Sequence, residues 1–494
     1  MNILKDSFYL TLSKGIRTIV MMLVVMVMTR LVSMEVYGTY RQLITLSTII
    51  LAIAPLGIPI TVSYYYKNID LKQRNKLISN TTIISLFCGL TSTVLFIIFK
   101  NQISNSLNIN NIDDYLFGFS LYIFILVTSS FIENLFVSAE LAKKFSICNI
   151  LYYIFFIIIL LTIMDKDGRL STVILTMAAL ECLRFILLLI WIWSKLEIKF
   201  VLDLKFIKEQ FIYCIPLGLV GIMQVLNTHL DKLIISGYFT PSEFAIYSTG
   251  TMEIPIVSLV TISLATAALP HMSKEYNTNR NINNALQIWG KITKTSAAII
   301  FPVFFILVFY SKGYIGFLFS EKYFSCIPLF LVRLLRLPLS CTIFGNMLII
   351  MGKQKVTILN MLISIAVNVL FNILLIPPLG MIGAALSGVI MHITVIFLQL
   401  YQISKYTKVK IKNLLPYYRL LQILCVSFLA ILPIYIISNF VNLQYIVEFF
   451  IFGTLAFFIS IFALAKSELI NLNLNEILGF LRRKKIGKIH EAKI

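Results

Sequence analysis

Lys14 and Arg17 stand three residues apart inside an apolar run, and Arg333 and Arg336 repeat that spacing in another. Residues three apart share a helix face, so each pair would present two cations side by side. Guanidinium forks hold carboxylate or phosphate oxygens in bidentate geometry, and lysine adds a compact point charge. The chemistry that suits these pairs is the binding of anions. A charge inside a hydrocarbon span is costly, so each one is a functional candidate unless its side chain reaches an interface. Arg17, Arg333 and Arg336 lie deep enough to be read as cavity residues. Lys14 reaches either a cavity or the headgroups, and the same choice holds for Lys291 and Lys294 near the inner end of their span. Arg41 opens its span and faces either the cavity or the outer headgroups.

Acidic groups qualify this reading. Glu181 and Arg184, again three apart, are expected to neutralise each other within one helix. Asp231 and Lys232 are adjacent and point in different directions, so Lys232 joins the candidate binding residues and Asp231 is free to pair elsewhere. Glu133 beside Asn134, Asp231 and Glu253 are each read either as structural partners of cations or as coupling-ion or gating groups. Seven cysteines are scattered singly without a CxxC pair, and four histidines make no HExxH. No metal site, cofactor or catalytic residue is indicated. A GxxxxGK[ST] loop is also missing, so nucleotide hydrolysis is not indicated.

The elements that must position these residues follow from composition. Of the 494 residues 59% are hydrophobic and only 13% charged, with a mean hydropathy of +0.90. A soluble domain is usually about a quarter charged. The apolar residues fall in blocks of roughly 20, the helical length that crosses a hydrocarbon core about 30 Å thick. An all-α integral membrane protein is predicted, because the short alternating segments of a barrel are missing. Fourteen spans are expected, starting near residues 8, 42, 77, 115, 145, 172, 211, 244, 288, 328, 357, 383, 420 and 445. Tyr64 to Tyr66 before Lys67, and Trp191 and Trp193 before Lys195, sit where rings prefer the headgroup level.

The net charge of +20 gathers mostly in alternate loops, including Lys67, Lys72, Arg74 and Lys76 in one and Lys405, Lys408, Lys410 and Lys412 in another. This is the positive-inside pattern, and it places both termini in the cytoplasm. The basic stretch 481–490 is expected to touch anionic lipid rather than nucleic acid. The first apolar run, interrupted by Lys14 and Arg17, is expected to remain as a span and not to be a cleaved signal.

Two echoes suggest an internal duplication. Tyr37, Gly38, Thr39 and Tyr40 are answered by Phe244, Ala245, Ile246 and Tyr247, and AKKFSICN (142–149) by KQKVTILN (353–360). The offsets, 207 and 211 residues, nearly agree. A unit of six spans gives two copies inserted in the same direction, related by an axis along the membrane normal. The expected organisation is an N-terminal lobe at 1–204, a C-terminal lobe at 205–405, and two further helices with a basic tail at 406–494. Pro55, Pro59, Pro216, Pro255, Pro302 and Pro338 fall within spans, where they kink helices and could give the lobes their bends.

This plan, with RLVSMEVYGTY after the first span and NVLFNILLIPPLGMIGAALSGVI at 368–390, resembles the multidrug/oligosaccharidyl-lipid/polysaccharide (MOP) exporter superfamily. In the second segment Asn368, Asn372, Pro377, Gly380 and Gly383 carry the likeness, with Pro377 and Pro378 ending one helix and Gly380 making the turn. Within the superfamily the chain is similar to polysaccharide-unit flippases of the Wzx type. The resemblance implies a non-enzymatic transporter of the cytoplasmic membrane that flips an undecaprenyl-diphosphate-type oligosaccharide by alternating access through a cationic cavity. The implied partners are that lipid-linked oligosaccharide, membrane lipids, polysaccharide polymerase and glycosyltransferases. Two other readings stay open: an ion-coupled multidrug-type antiporter, whose cavity would favour carboxylates, and a glycan polymerase or ligase, for which the external segments 100–114 and 312–327 are short.

Overall fold

The computed structural model describes residues 3–166, 169–196, 198–278 and 281–469, and these form helices joined by short turns and loops, with no strand among the described residues. The basic stretch 481–490 lies outside them. Among the described residues eleven helices are long and apolar enough to cross a membrane, or twelve if Met34–Ile53 and Ile58–Tyr65, bent by 50°, count as one span. The expected fourteen are therefore not all continuous helices. The helix Gln354–Thr407 has 54 residues and non-helical dihedrals at Gly380 (φ 58°, ψ −138°), so it is two arms joined at that glycine. Backbone passes helically through Pro377 and Pro378, and the break falls two residues later, where only glycine tolerates the dihedrals without strain. The span expected near residue 328 is divided into Ile327–Leu334, Arg336–Leu339 and Gly345–Ile350. Pro338 contributes to that division because it has no amide to donate to the preceding turn.

Packing separates two compact units, one of Met1–Pro255, Ile315–Arg333 and Gln354–Phe397, the other of Ile256–Tyr314, Leu334–Lys353 and Leu398–Ile494. In the first, both tyrosine motifs turn out to be helix starts. Ser33 caps Met34–Ile53 by accepting from the Val36 amide at 3.3 Å, and Thr240 caps Pro241–Gly250 through a reciprocal box with Glu243. These side chains satisfy amides that the first helical turn leaves without partners. The two helices then pack on each other. A Cβ at Gly38 would lie 1.8 Å from the Pro241 carbonyl oxygen, so the contact exists only because residue 38 has no side chain. Tyr37 and Tyr247 are fully buried around this contact, Tyr37 edge-on to Tyr323 at 5.8 Å.

In the second unit, Ile282–Phe309 packs on Tyr417–Ser438 and Tyr445–Lys466. Phe309 stacks on Tyr435 at 4.7 Å, and Tyr310 donates to Ser438, which donates to Glu448 at 2.8 Å.

A polar clasp ties the start of Leu204–Tyr238 to Leu71–Ile98 in the first unit. Asp203 accepts from Lys76 at 2.8 Å and from the Phe206 amide, while Asn80 exchanges two hydrogen bonds with the Asp203 backbone. The Lys76 ammonium, then the Phe206 amide, hold the Asp203 carboxyl below the usual carboxylate range. Such a depressed group stabilises the fold above its ordinary pKa, and that contribution is lost as pH falls through the folded value. Asp203→Asn, which keeps the cap but not the charge, should lower Tm at neutral pH. The gap to wild type should close below about pH 4, the unperturbed Asp range; a gap constant with pH would mean that the charge of Asp203 is not what stabilises the clasp.

Candidate functional site

A cavity of about 440 Å³ lies within the first unit. The first helix, Ile3–Leu31, contributes Lys14 and Arg17, which its three-residue spacing puts on one side. The lining also includes Tyr122 from Ile112–Thr128, Asn149, Tyr152 and Tyr153 from Ala142–Lys166, and Glu181 and Arg184 from Leu170–Leu196. Glu133 enters from the short helix Ile132–Ser138, and the floor includes backbone of the bend at Pro55 to Pro59. Tyrosines with mixed polar and apolar faces thus alternate with charges around one chamber.

The charges are mostly matched. Lys14 pairs with Glu133 at 3.0 Å. The Arg184 guanidinium grips Glu181 through both carboxylate oxygens and gives a further bond to Asn149 at 2.9 Å. It also lies over the Tyr152 ring at 5.0 Å. Arg17 differs. It is exposed, lines the cavity together with Tyr122 and Tyr153, and has no carboxylate within ion-pairing distance among the described residues. The three cations Lys14, Arg17 and Arg184 face the two acids Glu133 and Glu181, so the chamber carries one cation in excess. An anion could enter it without separating an existing pair.

A second charged group lies elsewhere in the same unit. Asp231 is buried, accepts from the Tyr247 hydroxyl at 2.9 Å and from the Lys232 amide, and lies 4.0 Å from Arg333. Lys232 has Arg41, Asp231, Arg333 and Glu253 within electrostatic reach. Arg41 Nε and His229 Nδ1 are buried with no hydrogen-bond partner among the described residues. Glu253 stands in the non-helical break between Pro241–Gly250 and Pro255–Ser273, not inside a span.

The remaining candidates belong to the second unit. Arg336 begins the four-residue helix Arg336–Leu339, so it does not continue one unbroken helical face with Arg333. Lys291 and Lys294 line a different recess, described below. Sequence reasoning missed Tyr122, Tyr152, Tyr153 and His229. The residues Asn149, Tyr152 and Tyr153, at i, i+3 and i+4, form a polar stripe in an otherwise apolar helix, and that was the available signal.

Apolar helices long enough to cross a membrane, with a chamber lined by charges and tyrosines among them, define a multi-pass membrane protein. The chain matches the lipid II flippase MurJ, in its inward closed conformation, with a TM-score of 0.72 at 16% identity, covering 91% of this chain and 98% of that one. An inward-facing multidrug resistance MATE family transporter of the MOP superfamily gives 0.59 at 14% identity, covering 78% and 96%. At these identities the likeness is one of fold. Residues 3–275 match the family described as polysaccharide biosynthesis protein, and the chain belongs to that family. The capsular polysaccharide biosynthesis protein CapF of Staphylococcus aureus is 25% identical over 260 residues, half of this chain and 64% of the relative. An uncharacterized membrane protein of Methanocaldococcus jannaschii is 23% identical over 283 residues, 56% of this chain and 54% of the relative. The matched part thus spans less than two thirds of either relative.

Tyr247→Phe should expose the energetic weight of the Asp231 group. A buried carboxylate oxygen that loses its donor costs roughly 1–3 kcal/mol. The expected result is a lower Tm in detergent, read by scanning fluorimetry; an unchanged Tm would mean that Asp231 finds an equivalent donor.

Proposed function

We propose that this protein moves a lipid-linked oligosaccharide across the cytoplasmic membrane for cell-surface polysaccharide synthesis. The observation that carries the reading is the uncompensated Arg17 in the tyrosine-lined chamber. A lipid diphosphate needs cations at membrane depth, and Arg17 offers a guanidinium fork that no described carboxylate already occupies. Lys14 would supply a second contact by leaving Glu133, and the hydroxyls and rings of Tyr122, Tyr152 and Tyr153 suit the alternating polar and apolar faces of sugars. Membership of a polysaccharide biosynthesis family and a fold shared with a lipid II flippase support the same substrate class.

In this reading the lobes at 1–204 and 205–405 alternate the chamber between the two sides, with both termini in the cytoplasm. Glu133, Asp231 and Glu253 are the groups able to couple an ion to that movement, because each lies next to or within reach of a cation it could release. Glycosyltransferases on the inner side would supply the substrate, and a polymerase on the outer side would consume it.

The test is flipping of a labelled lipid-diphosphate oligosaccharide in proteoliposomes. Loss of a charge-assisted contact of about 1.5–3 kcal/mol lowers binding by roughly ten- to a hundredfold, so Arg17→Ala should reduce transport on that scale while the protein still inserts. Arg17→Lys should recover part of it. Normal transport by Arg17→Ala would refute the cationic chamber.

A further inference from the structure

The second unit contains a recess of about 1050 Å³ whose charged lining is entirely lysine: Lys291 and Lys294 on one wall, Lys408, Lys410 and Lys412 on the other. The first wall is the inner end of Ile282–Phe309. Gln287, Gly290, Lys291 and Lys294 follow at helical spacing, so they fall on one side. The second wall is the loop 408–416, held in place by its own packing. Leu414 and Leu415 are buried, and Pro416 sits on Gly290 so closely that a Cβ there would meet its ring at 3.2 Å. Ser404 and Thr407 fasten the loop's other end by hydrogen bonds to the Val409 backbone, and Lys408 takes a left-handed conformation (φ 57°). A fixed loop therefore aims three lysines toward two on the facing helix.

None of the five has a carboxylate within ion-pairing distance among the described residues. Four of the five are exposed, yet all five line one concave space. Five like charges in one recess repel each other, and a multiply charged anion relieves that repulsion. The level of the recess is marked by Tyr417 and Tyr418, both exposed at the start of Tyr417–Ser438, where rings favour the headgroup region.

We propose that this recess binds a phosphate-bearing anion, and that the anion is the headgroup of an acidic phospholipid of the inner leaflet. The site stands apart from the transport reading: it lies in the other compact unit and is tested by binding, with no transport readout. Basic pockets at helix ends on the cytoplasmic side suit such headgroups, and an ammonium binds phosphate as a point charge without demanding one geometry. Several lysines in a shallow recess match a mobile, variably hydrated headgroup better than one rigid ligand.

The experiment measures binding of phosphatidylglycerol, cardiolipin and phosphatidylcholine to the full chain in neutral detergent by native mass spectrometry, with inorganic pyrophosphate as a soluble probe. Phosphatidylglycerol or cardiolipin should bind in preference to phosphatidylcholine. The triple exchange Lys291→Gln, Lys294→Gln, Lys408→Gln should weaken that binding about tenfold or more, since each lysine near an anionic surface is worth a several-fold factor. Arginine at the same three positions should retain it. If the triple variant does not fold, the single Lys410→Glu exchange on the exposed loop carries the same expectation. Pyrophosphate binding that is lost in the variant, without any lipid preference, would overturn the lipid source and assign the recess to a soluble phosphate. Binding of neither class that responds to the lysines would overturn the site itself.

Discussion

A charge at membrane depth must find a partner, and most of the internal architecture of this protein can be understood from that requirement. Removing an ion from water costs several kcal/mol even after relaxation, so cations and acids inside the spans are brought together. Glu181 closes on Arg184, Glu133 meets Lys14, and Asp231 accepts from Tyr247 while lying near Arg333. Two of these contacts knit segments that are remote in sequence: Lys14 and Glu133, and Asp231 and Arg333, are each brought together across about a hundred residues. Apolar packing alone cannot choose among helix neighbours in a membrane, because lipid tails are as apolar as leucine. Polar pairs and close backbone contacts make that choice.

Against this background the exception matters more than the rule. Arg17 shares a chamber with two satisfied ion pairs and has tyrosine hydroxyls for company. Its open valence is tolerable because the chamber is polar and roomy enough for water. The Asp231 group offers a contrast. There the charges are buried among themselves, and Arg41 Nε and His229 Nδ1 remain without partners in the described structure. One site is arranged for a guest, the other for mutual tension among residents.

Fold class was legible because apolar blocks of roughly 20 residues leave few alternatives in a membrane. The continuity of the spans was less so. Hydropathy sums over a window and does not register that Pro338 and its neighbours divide one apolar block into three helices; the turn at Gly380 was legible, but the helix runs on through Pro377 and Pro378, where it was expected to end. The depth of Arg17 and its spacing from Lys14 pointed to a cavity, and the Glu181–Arg184 pair formed as its spacing suggested. The tyrosines around Arg17 escaped notice because amphipathic rings in a span look like interface anchors until their neighbours are known. Lys291 and Lys294 were visible as a pair, yet their companions at 408 to 412 lie more than a hundred residues away and no local pattern joins them.

The meeting of Gly38 with the Pro241 carbonyl bears on how mutational surveys of this chain are to be interpreted. A methyl group there would strike main chain rather than a yielding side chain, so even the mildest exchange prises apart two helix origins. Inactivity caused by Gly38→Ala would consequently speak about assembly, and would say nothing about the cargo.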